Sequence, residues 1–347
     1  MRFLIIALSV FVVLNNIGCE DANDPYLFEN EPHLKNIKML TDSGENAEAY
    51  FSFDESKLSY QSTSEGLECD QIFLMNLDGT GKRMLSTGKG RTSCAYILPD
   101  GNSILYASTH LVDENCTAPP DFSRGYVWKL YDSYDIFRAD LDGNIQKQLT
   151  NSPGYDAEAT ISPKGDKIIF TSTRDGDPEI YVMDLDGSNQ TRLTFEKGYD
   201  GGPFFSLDVS NIVFRASRPK TEEELKDYDD LVEKGLVRPG ILEIYVMYAD
   251  GKNMNQVTNF GKASFAPFFH PDGERIIFAS NYLSENTRNF DLYIINVDGT
   301  GLEKITNFEL FDGFPMFTKD GEHLVFASNR FNKNQGDTNI FIADWVD

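Results

Sequence analysis

Chemistry in this 347-residue chain would have to come mainly from carboxylates, since Asp and Glu supply 55 residues and His only 4. Glu48 and Glu158, with Asp156 close by, would offer several oxygens to a hard cation, and calcium is the ion that such a set would take. Paired acids also serve glycoside hydrolysis, but where acids are this frequent chance pairs carry no weight. The histidines, His33, His110, His270 and His323, follow no pattern matched to Cys69, Cys94 and Cys116. No Cys-x-x-Cys spacing occurs either, so neither a catalytic thiol nor a metal knot is expected. The expectation is no catalytic residue and no resident cofactor, with calcium the only candidate ion.

The elements that would position these groups repeat. The stretch "EIYVMDLDGSNQTRLT" at 179 returns as "EIYVMYADGKNMNQVT" at 243, and related phrases start at 71, 135 and 291. A second phrase precedes each, as in "TISPKGDKIIFTSTR" and "FFHPDGERIIFASNY". Such a fixed period decides the architecture before any local reading does. Each unit reads as four short strands rich in β-branched and aromatic residues, separated by Gly, Pro and Asp turns. One four-stranded meander cannot bury both faces, so six must stack in a circle: an all-β, six-bladed β-propeller of antiparallel blades. The blades fall at about 43–90, 91–154, 155–198, 199–262, 263–310 and 311–347. The last unit stops at "NIFIADWVD" without a fourth strand, and "KNIKMLTD" at 35–42 is a spare one. An N-terminal strand is therefore expected to complete blade 6 and close the ring.

Within this frame two columns pair by blade. Asp156, Asp200 and Asp312 occur in the blades that carry Arg174, Arg218 and Arg330. The co-occurrence predicts buried ion pairs, with a ligand-gripping ring of charges as the alternative. The column of Glu48, Cys94 and Glu158 should face the central channel. Two insertions, 111–134 and 219–240, both lie in loops between second and third strands and hence on one face. The first brings Phe122, Tyr126, Trp128 and Tyr131, which would stack on a sugar, anchor a protein, or form a small core under the loop. In the second, Thr221 and Glu224 form a capping box, and Leu225, Tyr228, Leu231 and Val232 form the apolar stripe of a helix.

The first residues, "MRFLIIALSVFVVLNNIGC", combine Arg2, an apolar run too short to span a bilayer, and a small residue before Cys19. They predict a signal peptide over 1–18, lipid attachment at Cys19, and an acidic tether over 19–34. Export makes a disulfide feasible among Cys69, Cys94 and Cys116, with one thiol left over. The net charge of −24 argues against a nucleic-acid partner.

The units, with their "P-x-F-(S/T)-x-D-G", "I-x-F-x-S-x-R" and "I-Y-x-x-x-x-D-G … L-T" phrases, resemble the TolB-type, WD-like β-propeller repeat over residues 35–347. The resemblance implies an exported binding module rather than one particular chemistry, because propellers host many functions. The leading expectation is a non-catalytic envelope lipoprotein, in the periplasm or at the cell surface, that holds a protein or glycan on the loop-bearing face. The alternative is an enzyme similar to propeller-fold oligogalacturonate lyases.

Overall fold

The computed structural model describes residues 24–64 and 66–347. The signal peptide and Cys19 lie outside the described residues. Six four-stranded antiparallel sheets form the ring. Their inner strands are Glu45–Phe51, Thr92–Ile97, Asp156–Ile161, Asp200–Phe205, Ser264–Phe269 and Asp312–Phe317. Second strands such as "KIIFTS" place one aromatic ring per blade between neighbouring sheets. Tyr60, Tyr106, Phe170, Phe214, Phe278 and Phe326 are all buried, and this stacking supplies the apolar burial that a single meander cannot reach.

Each blade is stapled by the hydroxyl that follows its outer strand. Ser86, Thr150, Thr194, Thr258 and Thr306 each accept the backbone N–H of the second residue of the third strand, at 2.8–2.9 Å. In blade 6 the same bond is made by Thr41 Oγ1, which accepts the N–H of Ile340 at 2.9 Å. The spare strand Leu34–Met39 pairs antiparallel with Asn339–Trp345, so the N-terminus completes the last blade as expected.

Residues 24–34 are not a free acidic tether. Tyr26 packs edge-on against Phe331 and Phe341, and His33 stacks on Trp345. Glu31 is 3% exposed and meets Arg330, which is fully buried and also holds Asp312 at 2.9 Å. Arg330 further donates to the Tyr26 carbonyl at 3.1 Å and to Ser328 Oγ at 3.1 Å. A composition rich in acids suggested solvation; the buried guanidinium supplies the counter-charge that lets this segment dock.

Arg330→Met is therefore expected to leave Glu31 and Asp312 buried without a cation and to destabilise the fold by about 3–5 kcal/mol, read by urea denaturation. A second test concerns Asp291, at the head of the third strand of blade 5. It is 2% exposed and 2.9 Å from Lys304, and burial pushes its pKa up to about 6. Because this exceeds the unfolded value of about 3.9, its contribution to stability is full below that value and lost as pH rises through 6. Asp291→Asn should flatten the decline of stability between those limits.

Candidate functional site

Every inner strand carries a register break at the same level, between its second and fifth residues in five blades and between Ala47 and Tyr50 in the first. At each break one residue sits in the left-handed region: Glu48, Cys94, Glu158, Gly202, Ala266 and Phe314, with φ between 47° and 59°. Only one of the six is glycine. Each of the others is held there at a cost on the order of 1 kcal/mol, which the surrounding sheet must offset. All six line one cavity in the channel. The sequence reading found this column but not the bulge, because strand alternation alone carries no sign of an inserted residue.

The channel acids do not converge on one cation. Glu158 is bonded by Arg215, by Thr171 Oγ1 at 2.7 Å, by the Gly202 N–H at 2.8 Å and by the Tyr199 hydroxyl at 3.2 Å. Asp156 is 1% exposed and turned to Arg174 at 2.9 Å. Glu48 accepts instead from Cys94, through its N–H at 3.3 Å and its thiol at 3.0 Å. Burial pushes the Glu48 carboxyl and the Cys94 thiol above their ordinary values. The calcium arrangement envisaged for Glu48, Asp156 and Glu158 is thus not assembled, because arginines occupy two of the three acids. Arg218 lies 2.6 Å from Asp200, so each of the three Asp–Arg pairs of the two columns forms its ion pair.

Disulfide pairing resolves to Cys69 with Cys116, which ties the blade 2 insertion to blade 1 and leaves Cys94 as a buried thiol. The two insertions meet: Trp128–Lys129 pairs antiparallel with Leu236–Val237, spanning blade 3. The helix Glu222–Val232 has the Thr221/Glu224 capping box and buries Tyr228 and Leu231. Nothing in the separate insertion sequences signals the bridge, since two-residue strands leave no periodicity.

The four insertion aromatics divide. Trp128 sits over Arg215 at 5.2 Å and touches Tyr199 and Phe265 edge-on. It therefore reaches from blade 2 to residues of blades 4 and 5. Tyr131 packs beneath, with the Arg91 guanidinium 5.5 Å from its ring. Phe122 and Tyr126 stay outside, 50% and 66% exposed, with near-parallel rings 6.1 Å apart.

The Glu158–Arg215–Tyr199 knot explains "DGG" at 200–202. A Cβ on Gly202 would lie 2.1 Å from Arg215 Nη1, and one on Gly201 would lie 2.2 Å from the Tyr199 hydroxyl. Gly202→Ala should push the guanidinium off Glu158 and destabilise the protein by roughly 3 kcal/mol or more, seen as a lowered Tm, whereas Ala266→Gly at the equivalent position of blade 5 should be neutral or mildly stabilising.

Comparison with known proteins bears on this geometry. The Tol-Pal system protein TolB of Bordetella pertussis is 49% identical over 39 residues, which span 11% of this chain and 9% of that protein. Among solved structures, a putative TolB from Agrobacterium tumefaciens aligns over 89% of this chain and 94% of its own at 18% identity, with a TM-score of 0.57. TolB from Acinetobacter baumannii aligns over 79% of this chain and 57% of its own at 20% identity, also with a TM-score of 0.57. At these identities the structures speak to fold alone. The family model for the TolB β-propeller domain matches residues 119–234 and 235–345, about two thirds of the chain, and the protein belongs to the TolB β-propeller family.

Proposed function

We propose that the chain is a non-catalytic, exported binding scaffold that captures an envelope protein on its insertion-bearing face. The observation that carries this reading is where exposed large apolar side chains fall among the described residues. Of the ten large apolar side chains that are 49–71% exposed among the described residues, Leu111, Val112, Phe122, Tyr126, Ile241, Leu283 and Phe331 lie in loops joining second to third strands, Phe195 and Leu310 lie on the same face in loops from an outer strand to the next inner strand, and Tyr248 alone lies on the opposite face. A soluble surface tolerates single apolar residues, but their concentration on one face of a rigid ring marks an interaction site. Phe122 and Tyr126 are the anchors, since aromatic residues dominate hot spots. Protein is favoured over glycan as the partner because the TolB relative is named for a Tol-Pal system of proteins.

Anchoring rests on a signal peptide over residues 1–18 and on Cys19. Because Asp24 onward docks beside Phe331 and Phe308, on this same face, only four residues would separate a lipid on Cys19 from Asp24, a span of about 17 Å when extended. The binding face would then lie close to the bilayer, and the partner would be one held at that surface.

Phe122→Ser combined with Tyr126→Ser is expected to weaken capture of the partner from solubilised envelopes at least about tenfold, leaving Tm unchanged. The control, Leu207→Ser with Tyr248→Ser on the opposite face, should capture normally. Equal capture by both variants would remove this face as the binding surface.

A further inference from the structure

The exposed apolar side chains of the loop-bearing face fall into groups on different sides of the ring. Phe122 and Tyr126 belong to blade 2. Another group surrounds the place where the chain enters the ring, at blades 5 and 6: Leu27, Leu283, Leu310 and Phe331, which are 38–65% exposed. These four share one continuous base. Phe331 packs edge-on against Tyr26 and stacks on Phe28, and the Phe28 ring centroid lies 5.2 Å from that of Phe308. Two residues on, the Leu310 carbonyl accepts the Phe290 N–H at 2.7 Å, and Phe290 ends the loop that bears Leu283. Arg330 fastens this base from within, through the Tyr26 carbonyl and Glu31.

A contiguous exposed apolar patch marks a contact surface, and the chain leading into this one indicates what it meets. Residues 20–23 alone separate Cys19 from Asp24, so a lipid on Cys19 holds Asp24, two residues before Tyr26, within about 17 Å of a bilayer. The bilayer is then the nearest apolar phase. Charge narrows the kind of lipid. The exposed ionic groups around the patch have both signs, Glu29, Glu285 and Glu309 against Arg288 and Lys333, and form no basic cluster of the sort that draws anionic headgroups. The net charge of −24 repels such headgroups further. We propose that Leu27, Leu283, Leu310 and Phe331 seat the ring on a zwitterionic lipid surface, with their side chains entering the boundary between headgroups and acyl chains. This seating rests on the lipid-anchored reading of Cys19. Blade 2 lies across the ring axis from blade 5, so Phe122 and Tyr126 stay free for a protein.

Tryptophan quenching on vesicles tests this. The full protein, purified from membranes with its native N-terminus, is reconstituted on vesicles of phosphatidylcholine and phosphatidylethanolamine that carry brominated acyl chains. Leu283→Trp and Phe331→Trp should each lose roughly half of the added fluorescence, measured above the background of Trp128 and Trp345. Leu207→Trp, on the opposite face, should lose none, and phosphatidylglycerol added to the vesicles should reduce the quenching. No quenching at either loop position, equal quenching at residue 207, quenching that rises with phosphatidylglycerol, or loop indoles shielded only after envelope proteins are added would each overturn the seating. The mass of the peptide that contains Cys19 reads the anchor separately. An unmodified Cys19 sinks anchor and seating together, whereas a lipidated Cys19 with unquenched loop indoles sinks the seating alone.

Discussion

The ring depends on the buried guanidinium of Arg330. A propeller closed by strands from both chain ends has one seam at which covalent continuity is missing, and here the seam falls in blade 6. Backbone pairing of Leu34–Met39 with Asn339–Trp345 joins the two ends, but a single edge pairing would fray. Arg330 adds a bond set that needs both ends at once, with Asp312 and Ser328 from one side and Tyr26 and Glu31 from the other. The charges are fully buried, so neither carboxylate can be released to water without stranding the cation. Closure is thereby made all-or-none rather than gradual.

A closed ring permits the strain seen inside it. Five non-glycine residues in the left-handed region would unwind an isolated hairpin, yet in the ring each is held by neighbours on both sides. What this strain accomplishes is positional: one residue per blade lines the channel at a single level. The Glu158–Arg215 pair then links blades 3 and 4, and Trp128 covers it from the insertion of blade 2. Interior and loop face are connected through that one indole, whose orientation is set by both.

Much of this was legible in the sequence, and the reason is repetition. Six copies average out local ambiguity, so strand count, blade order and the spare "KMLT" strand could be read directly, and the Asp and Arg columns announced their pairing by appearing and vanishing together. Features that occur once were harder. Docking of Glu31 was invisible because its partner lies 299 residues away and its own neighbourhood is merely acidic. The Trp128 bridge was invisible because its strands are two residues long. Convergence of Glu48, Asp156 and Glu158 was a misreading of proximity: sequence shows which acids share a level, but only side-chain direction shows which arginine has already claimed them.

That distinction bears on how such a ring comes to have a function. The repeating positions are committed to closure, stapling and stacking, and a change there is felt around the whole circle. Freedom remains where the repeat is broken, in the two insertions and in the channel column, whose six members share a backbone conformation but range in side chain from glutamate and cysteine to glycine, alanine and phenylalanine. The insertions are fastened to the ring by the Cys69–Cys116 disulfide, the capped helix and the Trp128–Val237 pairing, so their exposed tips are presented on a rigid base. Rigidity matters to recognition because a preordered surface loses little conformational freedom on binding. Phe122 and Tyr126 project from the best-fastened part of the face, which is where a binding surface gains most from the scaffold beneath it.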